Sequence, residues 1–67
     1  MESFPYLVAR VPDYEQHELE QAQRLRKATA TVEIRCGCAT ISDAQIACGA
    51  FQAKDSEHFY GVIDTSS

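Results

Sequence analysis

From Val32 to Cys38 the chain alternates: Val32, Ile34, Cys36 and Cys38 take every second position, with Thr31 before them and Glu33 and Arg35 between them. Side chains on a strand point to opposite faces in turn, so this pattern predicts a strand with one apolar and one wet face. The surrounding stretch, Thr29 to Ile41, is the longest run of β-forming residues and lies near the middle of the chain. It is the expected centre of a sheet.

Before it, Phe4 to Val11 reads as a first strand, with Leu7, Ala9 and Val11 alternating with Tyr6, Val8 and Arg10. Pro5 restricts the start of that strand to an edge or to its first residue. Asp13 then reads as an N-cap, with Gln16 as its capping-box partner, opening a helix over Tyr14 to Ala28. Asp13, Glu15, Glu18 and Glu20 crowd the first half of this helix, and Arg24, Arg26 and Lys27 the last. That order opposes the helix dipole at both ends, and Glu20 with Arg24 adds an i,i+4 pair. Tyr14, Leu19, Ala22, Leu25 and Ala28 form its apolar stripe.

After the central strand, Ser42-Asp43 reads either as a turn or as the cap of a short helix, Asp43 to Cys48. Gly49 and the short length favour a strand from Gln45 to Ala53. A two-residue turn would set Ile34 opposite Phe51 and Val32 opposite Ala53, which makes Ile34, Leu25 and Phe51 the expected core. Lys54 to Glu57 is a polar turn, His58 to Asp64 a last strand, and residues 65–67 a flexible tail. The predicted fold is a two-layer βαβββ domain of the α+β class, an antiparallel sheet with one helix on one face. Tyr6, Val8, Phe59 and Ile63 would then meet on the uncovered face, and such a patch marks an interface.

The chain has 67 residues, enough for a single domain, 1–67, with a thin core. Its apolar fraction of 45% is that of a folded protein. The net charge of −4 argues against a phosphate-backbone binder, so nucleic acid is not the expected partner. Asp43, Asp55, Glu57 and Asp64 face only Lys54 in residues 36–67, so the second half is the acidic one. A basic protein patch is its complement. No apolar run approaches the ~20 residues of a membrane span. The N-terminal stretch lacks the charge pattern of a signal peptide. Three cysteines, an odd number, fit a reducing compartment, and a cytoplasmic protein is expected, in its own cell or a host's.

Cys36, Cys38, Cys48 and His58 form one possible zinc set, but their spacing, C-x-C-x₉-C-x₉-H, lacks the usual two-residue gap. In the preferred register Cys48 also points away from the other two, so the thiols read as small buried hydrophobes and no cofactor is expected. Neither His17 nor His58 is brought to a thiol by any pattern in the chain, and the three glycines stand far apart, so no enzyme is expected. The functional expectation is a non-enzymatic protein-binding module that occupies a surface of another protein, with a homodimer as one form in which it could act. Its size and acidity match the small inhibitors by which phages and mobile elements block host proteins. Phe59 or Tyr60 would anchor the contact, with Asp55, Glu57 and Asp64 on its rim. The alternatives are a zinc-stabilised mini-domain binding nucleic acid or protein, and a small transcriptional regulator.

Overall fold

The computed structural model describes residues 4–66. It contains β1 (Tyr6–Pro12), a 3-10 turn (Asp13–Glu15), α1 (Gln16–Leu25), β2 (Glu33–Cys38), α2 (Ile41–Lys54) and β3 (His58–Asp64). The domain is α+β with an antiparallel sheet, as the sequence predicts, and the last strand has the predicted bounds. Two features differ. The sheet has three strands in the order β2-β1-β3, so β1 and not β2 is the middle strand. Gln45 to Ala53 is helix, part of α2, where a strand was expected.

β1 runs antiparallel to both neighbours, so β2 and β3 run parallel to each other on either side of it. α2 connects them over one face of the sheet, and α1 packs on the other. Ala9 and Val11, with Leu7 beside them, meet Leu19 and Ala22 of α1 together with Val32 and Ile63. Val8, with Tyr6 beside it, meets Ala44 of α2 and Tyr60, with Phe51 and Val62 packed around them. The result is three layers, helix, sheet and helix, where two were expected. Helices cover both faces: α2 covers Tyr6 and Val8, whereas Ile63 lies in the α1 core. Phe59, paired with Val11, shares that α1 face at the sheet edge. A middle strand buried on both faces reads as a nearly continuous apolar run, and YLVARV is one.

The expected core fails for a local reason. β1 pairs Val8 with Cys36 but Ala9 with Ile34, skipping Arg35. This bulge reverses the phase of β2 halfway along. Cys36 and Cys38 therefore face α2, while Ile34 and Val32 face the α1 side. Ile34 sits at the open edge with 38% of its surface exposed, and Leu25 is 49% exposed. Phe51 packs on the opposite face, stacked on Tyr60 with ring centroids 5.4 Å apart.

α1 is shorter than its charge pattern predicts. The Asp13 and Gln16 side chains do bond each other, at 2.8 Å, but the Asp13 carboxylate does not cap the helix, and Tyr14 is 81% exposed. Leu19 and Ala22 alone carry its buried stripe. Gly61 allows this close approach, because a Cβ there would lie 2.7 Å from Leu19 Cδ2. At the other end Lys27 N–H donates to Ala22 O and Arg26 N–H to Gln23 O, both at 3.3 Å, the paired bonds of a Schellman stop. Arg26 takes the left-handed position, with φ 59°. That conformation costs an L-residue roughly 1–2 kcal/mol that glycine avoids. Arg26→Gly, offset by the looser unfolded chain and by loss of the exposed Arg26–Asp64 contact, should raise the urea midpoint by an equivalent of no more than about 0.5 kcal/mol.

α2 forms where Thr40 accepts the Asp43 N–H on its hydroxyl at 3.1 Å. Ala44, Ala47, Cys48 and Phe51 then recur at helical spacing on the face toward the sheet. Gly49 sits in the exposed middle of this helix, and a Cβ added there would meet nothing within 4 Å. Gly49→Ala should therefore stabilise the folded chain by about 0.8–1 kcal/mol, read from urea melts at high dilution.

Candidate functional site

Three features of α2 and its surroundings carry chemistry or contact potential. The first is a polar cluster where α2 hands over to β3. Asp55, the first residue after the helix, accepts from Tyr60 Oη at 2.9 Å through Oδ2 and from the Glu57 N–H at 3.0 Å through Oδ1. His58 Nδ1, shielded from solvent, lies 2.7 Å from Asp55 Oδ2 but off the line of a well-formed hydrogen bond, so the contact is one of charge and proximity. Arg10 of the middle strand approaches the same oxygen at 3.9 Å. Gln52 closes the group, donating to Asp55 O and His58 O and accepting the Tyr60 N–H. The imidazole, with help from the Tyr60 hydroxyl and the Glu57 amide, lowers the Asp55 carboxyl to about 2. An aspartate fixed this firmly ties α2, β3 and β1 together. Its Oδ2 holds the His58 imidazole and the Tyr60 hydroxyl side by side.

The second feature is the thiol group. Cys36 and Cys38 of β2 and Cys48 of α2 all pack into the core between α2 and the sheet. Cys48 thus faces the same way as the other two, contrary to the register expected from a strand at 45–53. Burial raises the Cys36 thiol, helped by its contact with Cys38, and burial likewise raises Cys48. Protonated thiols are poor nucleophiles and poor metal ligands. His58, the fourth member of the zinc set, faces Asp55. Among the described residues no three His, Cys, Asp or Glu side chains stand together as a metal site.

The third feature is the outside of α2. The helix leans on β3 and β1 more than on β2, and the gap it leaves beside β2 is an open hollow of about 330 Å³. Cys36, Ala47, Ala50, Phe51 and Lys54 line it. The surface of α2 turned away from the sheet holds Ser42, Gln45, Ile46, Gly49, Ala50 and Ala53, all exposed. Ile46 is 70% exposed, the most exposed large aliphatic side chain among the described residues. A helix of a small domain ordinarily shows polar residues on this side.

The residues named from sequence as an interface fall in different places. Tyr60 is buried and Phe59 half-exposed at the β3 edge, so the two neighbours do divide between core and surface. Asp55 is engaged internally. Asp64 is held by Ser66, at 2.9 Å from its N–H, and by Arg26 at 3.5 Å, and both partners lower its carboxyl. Glu57 is exposed in the turn between α2 and β3. Thr65, at the start of the expected tail, donates its N–H to Pro5 O at 2.7 Å, whereas Ser67 lies outside the described residues. Ile46 and the hollow were not found from sequence, because a strand at 45–53 hides a face that only helical spacing assembles.

Among the described residues no helix is long and apolar enough to cross a membrane. No family model, curated sequence or solved structure matches the chain.

Proposed function

We propose that the protein is a non-catalytic protein-binding module whose contact surface is the outer face of α2 and the hollow beside it. The observation that carries this reading is Ile46, a large aliphatic side chain exposed on a helix face whose middle is built of Gly49, Ala50 and Ala53, with Asp43, Gln45 and Lys54 at its margins. Exposing it costs free energy in water that a partner's apolar surface returns, roughly 25 cal/mol per Å² covered. Gly49, Ala50 and Ala53 leave room for close approach, and the hollow offers a socket. In this reading the protein acts as a small inhibitor does, by occupying a surface. The acidic residues contribute through general field more than through contacts, since Asp55 and Asp64 have partners of their own. Three free thiols suit a reducing compartment.

The test compares capture by the wild-type chain and by Ile46→Asp, both folded by circular dichroism. Binding lost in the variant supports the reading. Equal capture by both would move the contact surface off α2.

A further inference from the structure

We infer that the occupant of the α2 face is a second copy of this chain, packed helix against helix about a two-fold axis. This rests on the reading of that face as a binding surface, and it adds the identity of the partner.

The face is complementary to itself. α2 spans Ile41–Lys54 and has one acid, Asp43, in its first turn and one base, Lys54, in its last. At 100° per residue both lie on the same flank of the outer face, the flank next to the hollow. Among the described residues neither is in an ion pair within its own chain. An antiparallel pair of helices that sets Asp43 opposite Lys54 of the other copy has its axis between Cys48 and Gly49. That register is then fully determined. It sets Ile46 of one copy level with Ala50 and Phe51 of the other, two residues that line the hollow, Ala50 from the outer side and Phe51 from the side toward the sheet.

The protruding side chain and the socket therefore meet in the same arrangement that pairs the charges, and each occurs twice. This is the signature of an isologous contact, in which residue i meets j and j meets i. Gly49 falls beside the axis, where two helices come closest. Its missing side chain serves no contact within one chain, since a Cβ there meets nothing. Antiparallel packing also sets each helix's dipole against the other's. The area is small, because one 14-residue helix supplies most of it. A dissociation constant of roughly 1–100 μM is expected, the weak end of specific association.

Sedimentation equilibrium on the full chain, loaded from about 5 to about 500 μM, reads the association directly. The wild type should pass from monomer to dimer, and Ile46→Asp should remain monomeric throughout. Two charge variants test the register: Lys54→Asp sets acid against acid across the axis, and Asp43→Lys sets base against base. Each alone should weaken the dimer at least tenfold, and an equimolar mixture of the two should restore it. Restoration in the mixture cannot come from a folding defect. A chain that stays monomeric at the highest loading overturns the inference, and if Ile46→Asp then still loses a foreign partner the contact surface on α2 stands. A dimer unaffected by Ile46→Asp overturns both. A dimer lost in Ile46→Asp but not rescued in the mixture rejects the antiparallel register and with it this inference.

Discussion

Leu19→Ala should lower stability by about 2–5 kcal/mol, measured as the shift in urea midpoint at constant slope. Leu19 is fully buried and is the largest side chain in the α1 core, where it touches the sheet through Ala9, Val11 and Ile63. α1 has little else to hold it, since Ala22 is the other buried residue it contributes. The space left by the truncated side chain cannot be refilled from above, because Gly61 has no side chain to move into it. A chain of this size has about 3–10 kcal/mol in total at ~0.05–0.15 kcal/mol per residue, so a large unfolded fraction is expected in water. Ile34→Ala provides the contrast. The side chain sits at the edge of β2, partly exposed, and its truncation should cost under about 1 kcal/mol. If the order of the two variants were reversed, the bulge at Arg35 would be wrong and Ile34 would face a core.

That contrast also shows what was legible in the sequence. The class, the antiparallel sheet, α1 and β3 follow from periodicity and charge order. The alternation places β2 in the right region with the wrong phase, because it continues through Cys38 while the pairing skips Arg35. A bulge is a property of two strands together, and nothing in one strand's own pattern records it. The placement of β2 at the centre followed from its β-forming residues, but the strand buried on both faces is the one with a continuous apolar run. α2 departs further from the expected strand. Thr40-x-x-Asp43 is a capping signal, and Ala44, Ala47, Cys48 and Phe51 fall at i, i+3, i+4 and i+7. Gly49 outweighed them as a breaker. The same face that made α2 look unlike an amphipathic helix, with Ile46 and Ala53 outside as well as Ala44 and Phe51 inside, is the candidate site. The local pattern was misleading where the surface serves something other than its own fold.

The polar cluster around Asp55 predicts how the protein responds to acid. Asp55 has its carboxyl lowered from the ordinary aspartate value to about 2 in the folded chain. A depressed folded value means that the unfolded chain takes up the proton first. The contribution of Asp55 is therefore fully present above the unfolded value of ~3.9 and is lost as pH falls toward and through about 2. The wild-type melting temperature should fall across this window. Glu33, lowered by Arg10 and Arg35, and Asp64, lowered by Ser66 and Arg26, lose their contributions in the acid range as well. Asp55→Asn removes one of the three titrations. The variant should melt below the wild type at neutral pH, and the gap should narrow steadily as pH falls from about 4 to about 2. Tyr60→Phe separates the parts of the cluster. It keeps the ring stacked on Phe51 and deletes the hydroxyl bond to Asp55, so it should cost about 1 kcal/mol at neutral pH. Because His58 is the main cause of the lowered carboxyl, Tyr60→Phe should keep most of the wild-type acid sensitivity, whereas His58→Ala should lose most of it. Parallel melting curves for wild type and Asp55→Asn from pH 4 to pH 2 would mean that Asp55 is free in solution and available to a partner. In that case the acidic turn between α2 and β3, and not the helix face beside it, would be the surface to test next.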